Sequence, residues 1–435
     1  MECREPAAEK SLVAPASSRS IFSMLGPGLL FAATSVGASH LVQSTRAGAV
    51  YGLALLGIIL LANAIKYPAF RFASDYYPAT GTSLLEAYRR QGKAVLLVFA
   101  VITLSTLLFA VSALALMAAG LIKVVFSISL AAQTIALGLI VCTSVMLVVG
   151  HYQTLERLTK VLIILMVVCT LIATVMILPE VHWGQSMTLF SSELDIASLL
   201  FIAALMGWMP VPLDASVWQS LWAKAKAEDS DLPPTLAESR FDFNVGYSAI
   251  IVLAICFLLM GAGIMHGKGI VLASGSAAFS AQLIHLYETV LGGFFGPLIG
   301  IAATAIVYSS LLAIMDAFPR TLSSLYRRWQ DIPEAEDDHS LVESHPFYIA
   351  VLVVMFLGAV LTYQFFLTSL TALVDLAATV AFVAAPFIAY LNHRAITAET
   401  VPLSCQPSVA FRRYSIVCIG LLLVFAVGYL VLRFG

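Results

Sequence analysis

Two short segments place small, polar and helix-breaking residues in the middle of long apolar runs. The first segment reads Gly37-Ala38-Ser39-His40. The second reads Met206-Gly207-Trp208-Met209-Pro210-Val211-Pro212. Each proline removes a backbone donor and clashes with the preceding turn, so the second segment cannot continue as a regular helix. An imidazole, a thioether, hydroxyls and the carbonyls of unwound backbone could together bind a small solute or a soft ion such as Cu(I).

The composition around these segments is that of a membrane protein. The chain has 435 residues, of which 60% are hydrophobic and only 11% are charged. A soluble domain carries roughly 25% charged residues, so water cannot be the main solvent of this chain. The formal net charge of −2 argues against a nucleic-acid partner, which would favour a basic surface. We expect neither an enzyme nor a bound cofactor.

Hydropathy predicts an all-α, polytopic protein. A hydrocarbon core of about 30 Å requires about 20 apolar residues in each helix. Stretches of this kind cover eleven predicted spans: 22–43, 47–73, 94–123, 128–150, 157–178, 197–223, 242–267, 294–322, 345–365, 367–391 and 413–433. The shorter run 278–291 is amphipathic and predicts an interfacial helix. Residues 1–21 lack the apolar core of a signal peptide and predict a disordered cytoplasmic tail.

Lys and Arg predict the orientation, because they accumulate on the cytoplasmic side. With the N-terminus inside, the outer segments hold only Arg46, Lys123, Lys268 and Arg433, and most other basic residues fall on the inner side. We therefore expect a bacterial inner-membrane protein with a cytoplasmic N-terminus and a periplasmic C-terminus.

The two broken segments occupy corresponding places. One lies in the first span of 22–178 and the other in the first span of 197–391. Five helices in each half give the halves opposite topology, hence an inverted repeat followed by an eleventh helix at 413–433. Paired interruptions of this kind indicate a midplane substrate site in a transporter.

The first spans also resemble a known family. The residues that carry the resemblance are Gly26-Pro27, Gly48 to Gly52, Leu55-Leu56, Ala62-Asn63, Thr80 to Glu86, Arg89 and the pair Met209-Pro210. They resemble the Nramp family of proton-coupled divalent-metal transporters. The resemblance implies the LeuT-type fold, with substrate held between broken helices one and six.

The metal-binding motifs of that family do not carry over. Its Asp-Pro-Gly-Asn falls on 37–40, so that the liganding Asp becomes Gly37 and the liganding Asn becomes His40. Its Met-Pro-His becomes Met209-Pro210-Val211, which keeps the thioether and loses the His. The resemblance also implies a liganding carbonyl at Met206 and places the family's Gln of span ten on Thr379.

These changed ligand residues predict a different preference among metal ions. Hard divalent cations bind carboxylate oxygens above all, and no carboxylate lies at 37–40. The predicted binding residues are Gly37, Ala38, Ser39, His40, Met206, Met209 and Thr379. If a metal binds, His40 and Met209 are its side-chain ligands.

Charged residues inside the spans are candidates for coupling, since ionisable groups in a membrane are functional by default. Asp214 follows the second break, where it could act as a counter-ion or proton carrier, or simply begin a helix. Asp375 has no local partner, whereas Asp316 and Arg320 are spaced to pair with each other. Lys66 is a gate or interface charge.

Three interpretations of function remain open. The first is an Nramp-like transporter of a metal ion, and the second is a transporter of the same fold that moves an organic solute. The third is a membrane sensor without transport, which the short tails and loops disfavour. In each case the partners are the lipid bilayer and a small solute or metal ion, and the protein is expected to be a monomer.

Overall fold

The computed structural model describes residues 28, 31–32, 35–37, 39–149, 153–184, 195–229, 234–270, 272–334, 346–366 and 369–434. The predicted tail 1–21 lies outside this part of the chain. Within it, all regular structure is helical. The α-helices are Thr45–Tyr51, Leu56–Thr80, Leu84–Gln91, Lys93–Val125, Ala132–Val149, Gln153–Ile177, Ile196–Trp208, Ala215–Asp229, Leu236–Ile264, Ser276–Leu291, Phe295–Trp329, Pro346–Leu361, Leu370–Ile396 and Val409–Phe434. Two π-helices (Ser39–Ser44 and Thr362–Phe366) and a 3₁₀ turn (Leu178–Glu180) complete them.

Nine segments of the described chain are long and apolar enough to cross a membrane. They correspond to predicted spans 2, 3, 4, 5, 7, 8, 9, 10 and 11. The two predicted spans outside this set are spans 1 and 6, which are the two with predicted interruptions. Span 6 is divided between Ile196–Trp208 and Ala215–Asp229, and span 1 is divided before Ser39. The multi-pass, all-α prediction is confirmed.

Several helices begin at side chains that accept from the freed N–H groups of the first turn. Asp195 accepts from the Ser198 amide at the start of span 6. Thr235 and Glu238 form a reciprocal capping box at the start of span 7. Ser369 accepts from the Ala372 amide at the start of span 10. These short polar side chains therefore set where the membrane helices begin.

The predicted bounds of spans 1 and 2 are wrong by about two turns. Span 1 was expected to end at 43, but its helix continues to Tyr51, and span 2 runs from Leu56 to Thr80 rather than over 47–73. The chain turns at Gly52, whose φ of 58° lies in the left-handed region that favours glycine. Hydropathy misplaced the turn because protein contacts bury Ser44 and Thr45 and partly bury Arg46, so this polar stretch does not face water.

The helix Ser276–Leu291 has one buried face, which includes Phe279, Leu283 and Tyr287, and packs against span 3. His285 projects from the other face, with 77% of its side chain exposed. This is the amphipathic helix predicted for 278–291.

Span 1 lies against span 7 along much of its described length. At one end, the Gly28 amide donates to the Asp242 carboxylate over 2.6 Å. At the other end, a Cβ atom on Gly48 would overlap the Leu258 carbonyl, and a Cβ on Gly261 would overlap the Thr45 carbonyl. Glycines let the two backbones approach closely, as small residues do in membrane helix pairs. Span 1 is therefore fixed to span 7 on both sides of its interruption.

The close contact between spans 1 and 7 predicts that even a methyl group at Gly261 destabilises the protein. We expect Gly261→Ala to lower the free energy of unfolding by about 1–3 kcal/mol, because the added methyl group meets backbone rather than a flexible side chain. The matched control is Gly420→Ala in span 11, where a Cβ meets nothing within 4 Å. Apparent melting temperatures of the two variants in detergent are the measurement. Equal melting temperatures would contradict the close packing of spans 1 and 7.

Candidate substrate site

The interruption of span 1 is stabilised by serine hydroxyls. Ser35 Oγ donates to the Phe31 carbonyl over 2.6 Å, and Ser39 Oγ lies 2.8 Å from the Ser35 carbonyl. Serine side chains that bond to the carbonyl four residues earlier compete with regular helix geometry. The chain bends at Val36 and Gly37 and then winds into the π-helix Ser39–Ser44. Ala38 lies outside the described residues.

His40 is fully buried and both of its ring nitrogens face protein atoms. Nε2 lies 3.1 Å from the Ile250 carbonyl of span 7, and Nδ1 lies 2.8 Å from Ser39 Oγ. A carbonyl oxygen only accepts, so Nε2 directs a hydrogen at Ile250. The single hydrogen of the Ser39 hydroxyl can point either to the Ser35 carbonyl or to Nδ1. A ligand would have to replace one of these hydrogen bonds to reach the ring. His40 thus joins the interruption of span 1 to span 7.

Gly37 is enclosed by two neighbouring spans. A Cβ atom at this position would lie 3.1 Å from Ser310 Oγ of span 8 and 3.4 Å from the Leu114 side chain of span 3. The Ser310 hydroxyl is buried and has no hydrogen-bond partner among the residues that the structure describes. A buried polar group without a partner in a native structure requires an explanation, and an unseen water or a ligand is one. The position that resembles the family's liganding Asp therefore faces an available hydroxyl instead of bearing a carboxylate.

The interruption of span 6 extends from Met209 to Asp214, one half-turn later than the sequence suggested. Gly207 immediately precedes it and contacts span 10, where a Cβ would overlap the Ala378 carbonyl. Thr379 is the next residue of span 10 and is half-buried. Met206 is buried, 4% exposed, in the last turn before the break.

A buried polar contact joins span 1 to the break of span 6. The Ser44 hydroxyl lies 3.9 Å from Met209 Sδ, and both residues are fully buried. Ser44 ends the π-helix of span 1, and Met209 is the first residue of the break in span 6. The break of span 6 therefore adjoins the π-helix that follows the interruption of span 1.

A lysine side chain reaches the freed carbonyls of span 6. Lys66 of span 2 is fully buried, and its ammonium donates to the Gly207 carbonyl over 2.6 Å. The Val211 carbonyl lies 3.4 Å from the same nitrogen. Unwound backbone inside a membrane is tolerated only where protein or water satisfies its polar groups. Here the charge of span 2 satisfies the carbonyls on both sides of the Met209–Pro210 pair.

Asp214 lies at the other end of the same break and is 2% exposed. Its carboxylate accepts from the Thr106 hydroxyl of span 3 over 2.6 Å and interacts electrostatically with Lys66.

Two residues after Asp214, Ser216 receives a hydrogen bond from Asn392 of span 10. Asn392 also donates to the Ala69 carbonyl of span 2 and accepts from the Tyr88 hydroxyl. The second half of span 6 is therefore fixed to spans 2, 3 and 10.

On the predicted outer side, Asp375 of span 10 pairs with an arginine of another helix. Arg46 of span 1 donates to both carboxylate oxygens of Asp375, over 2.7 and 3.1 Å. Gln43 donates to the same carboxylate over 2.9 Å, and the Arg46 guanidinium lies over the Phe201 ring of span 6 at 4.8 Å. One arginine thus links the outer parts of spans 1, 6 and 10. The pair is half-buried at this end of the three helices.

On the opposite side, charges link the short helix Leu84–Gln91 to span 8, and span 2 to span 7. Glu86 pairs with Arg89 at 2.7 Å and with the buried Arg328 at 3.6 Å. Burial alone would raise the pKa of the Glu86 carboxyl, but the hydrogen bond and charge of Arg89, with the neighbouring arginines, bring that pKa below its usual value. Asp75 of span 2 pairs with Arg240 of span 7 at 2.9 Å. The predicted pair of Asp316 and Arg320 is confirmed at 2.8 Å.

The sequence-predicted residues fall into separate contacts. Met209 meets Ser44, Asp214 meets Thr106, Asp375 meets Arg46, and the ring of His40 is directed to span 7. No group of three or more His, Cys, Asp or Glu side chains suited to a metal ion occurs in the part of the chain described. Sequence reasoning did not find the Lys66 contact with span 6, although a lone lysine in an apolar helix signals a distant partner.

Comparison with known proteins adds a family to this architecture. A sequence model of the Natural resistance-associated macrophage protein-like family matches residues 28–432. The uncharacterized protein PM0681 of Pasteurella multocida is 31% identical over 376 residues, covering 85% of this chain and 84% of that protein.

Solved structures agree in fold. A manganese transporter of Eremococcus coleocola is similar with a TM-score of 0.70 at 15% identity, covering 98% of this chain and 91% of that one. MhsT, solved in complex with L-phenylalanine, is similar with a TM-score of 0.58 at 14% identity, covering 94% and 98%.

The helical architecture, with its two interrupted spans, is that of a polytopic membrane protein of the LeuT-type fold: two inverted five-helix repeats and an eleventh helix. The match over nearly the whole chain goes further. This chain belongs to the Nramp family.

The contacts of His40 predict a stabilising role. We expect His40→Ala to lower the free energy of unfolding by about 1–3 kcal/mol, because Ser39 and the Ile250 carbonyl both lose a buried partner. His40→Gln retains an N–H donor and should keep most of the stability. Thermal unfolding in detergent measures both. If His40→Ala unfolds like the wild type but loses solute binding, the ring faces the solute and is not a tether.

The Arg46–Asp375 pair predicts a measurable closure. Ser44 lies behind it, so we place a thiol there by Ser44→Cys in a background without other cysteines. Adding Asp375→Asn should raise the rate of labelling by a membrane-impermeant thiol reagent roughly fivefold, the factor for a half-buried pair worth about 1 kcal/mol. The control is Asp331→Asn, which removes an exposed pair with Lys93. An unchanged rate with Asp375→Asn would show that the pair does not restrict access to Ser44.

Proposed function

We propose that this protein is a secondary transporter that moves a small solute through the interrupted region of spans 1 and 6 by alternating access. The contact between Ser44 and Met209 carries the proposal, because it joins span 1 to the break of span 6 inside the fold. Irregular backbone at membrane depth is tolerated where it lines a binding cavity, and discontinuous helices supply the binding groups of many transporters. Family membership supports the same class of function.

The charged contacts on the two sides support alternation. Arg46 and Asp375 close one side of the interrupted region, whereas Asp75, Arg240 and the Glu86 cluster link helices on the other. Each set consists of ion pairs whose charged side chains can separate and become hydrated. Opening one set while the other stays closed would expose the interrupted region to one side at a time.

A metal ion is the cargo to test first. The family supports it, and the structurally similar protein of Eremococcus coleocola is a manganese transporter. In this chain the predicted donors are Met209 Sδ, the Met206 carbonyl, Thr379 and, once released from Ile250, His40. Thioether and imidazole suit a soft or borderline ion better than Mn²⁺, which prefers oxygen ligands.

An organic solute is the second candidate, and one observation favours it. The family's ligand positions hold no carboxylate here, while the Ser310 hydroxyl beside Gly37 and the Thr45 hydroxyl are buried without hydrogen-bond partners in the described part of the chain. Such hydroxyls can bind polar groups of an organic molecule. MhsT, which shares the fold, was solved with L-phenylalanine. The orientation with a cytoplasmic N-terminus, the bacterial inner membrane and the monomeric state belong to the same proposal.

Uptake into proteoliposomes tests the proposed function. We expect saturable uptake of a solute first found by a stabilisation screen of metals and small organic compounds, because specific binding raises apparent stability. Mn²⁺ uptake should be weak at micromolar concentration compared with a family member that carries the Asp. Gly207→Ala should abolish uptake, since its methyl group meets the Ala378 carbonyl, whereas Gly138→Ala in open space should not.

Two results would contradict these expectations. Saturable Mn²⁺ uptake at micromolar concentration would mean that a carboxylate such as Asp214 reaches the site. Specific binding of a solute without any uptake in either direction would favour a sensor over a transporter.

A further inference from the structure

We propose that the Lys66 ammonium is a cation tethered to the protein, which fills a cation site made by the Gly207 and Val211 carbonyl oxygens, with the buried Asp214 carboxylate of the same break as the nearby negative charge. Without this side chain, the site would accept a free alkali-metal cation. The inference concerns a different place from the predicted solute ligands, and its consequence for solute selection rests on the proposed function.

The first step is the placement of the charge. Lys66 is fully buried in span 2, and its nitrogen lies 2.6 Å from the Gly207 carbonyl. A buried ammonium is costly unless hydrogen bonds and a nearby opposite charge compensate it. The carbonyls of the break supply the hydrogen bonds, and the buried Asp214 carboxylate is near enough to act on the ammonium electrostatically.

The second step is the chemistry of the partners. The Gly207 carbonyl belongs to the last turn of the half-helix Ile196–Trp208, where freed carbonyls form the negative end of the helix dipole. The Val211 carbonyl adds a second oxygen donor, 3.4 Å from the same nitrogen, and the Asp214 carboxylate adds a negative charge at the end of the same break. Thr106 donates to that carboxylate and orients it. Oxygen donors of this kind are those that hard cations prefer.

The third step is the consequence for selection. The ammonium already neutralises the break, so a free cation gains nothing from these carbonyls in the wild-type protein. The Gly207 carbonyl is then not available to the transported solute. The solute must bind on the side of the interruption that carries Ser44, Met209 and Gly37. Lys66 is therefore a specificity-determining residue that excludes small cations from the break.

The experiment measures apparent melting temperatures of purified protein in detergent, in choline chloride and in equimolar NaCl or KCl. We expect wild-type protein and Lys66→Arg to show no difference between salts. Lys66→Ala should be less stable in choline and should regain roughly 3 °C in NaCl or KCl, as mass action predicts for a site well above its dissociation constant. The double variant Lys66→Ala with Asp214→Asn should lose this salt-specific gain.

Lys66→Ser serves as a second variant should Lys66→Ala not fold. The serine hydroxyl keeps a polar group at this position, so the carbonyls of the break can remain hydrated. The proposal is overturned if folded Lys66→Ala or Lys66→Ser protein has the same apparent melting temperature in choline chloride and in the alkali salts. It is also overturned if the melting temperature of the wild type rises equally in the alkali salts. Neither result depends on transport. Failure of wild-type uptake in proteoliposomes would instead count against the proposed function, so the two failures are distinguishable.

Discussion

The hydrogen bond from the Lys66 ammonium to the Gly207 carbonyl is the interaction on which the interrupted region depends. A helix that breaks inside a bilayer leaves carbonyls without partners, and each such group costs several kcal/mol in hydrocarbon. The chain meets this cost with a charge from span 2, at 2.6 Å, and balances that charge with Asp214. The break in span 6 is stable because the Lys66 and Asp214 side chains are buried together with it.

The positions of the surrounding helices follow from this contact. Span 2 approaches span 6 closely enough for Lys66 to reach Gly207, and the absence of a side chain at Gly207 lets span 10 pack on its other face. Span 1 is fixed separately, by His40 and by glycine contacts with span 7. Span 1 and the break of span 6 then adjoin at Ser44 and Met209. Charges are used differently at the periphery, where Arg46 and Asp375 form a pair that water can separate.

The local features of this architecture could be predicted from the sequence. Gly37, Pro210 and Pro212 marked both interruptions, the apolar runs gave the spans, and the family resemblance gave the fold. Partners distant in the chain could not be predicted, because Lys66 meets a backbone carbonyl, which no sequence pattern identifies. The partnership of Asp375 with Arg46 and the orientation of His40 toward span 7 likewise depend on tertiary packing. The ends of spans 1 and 2 were misplaced for the same reason, since protein contacts bury the polar stretch between them.

A solid-state NMR measurement tests the central contact most directly. Protein carrying ¹⁵Nζ-lysine and ¹³C-carbonyl glycine in lipid bilayers reports short nitrogen–carbonyl distances by dipolar recoupling. The described residues contain two such contacts, from Lys66 to Gly207 and from Lys268 to Gly263. The account predicts a short-range coupling that decreases in Lys66→Arg and persists, from the Lys66 ammonium, in Lys268→Arg. A coupling that is unchanged in Lys66→Arg and disappears in Lys268→Arg would show that Lys66 does not hold the break of span 6.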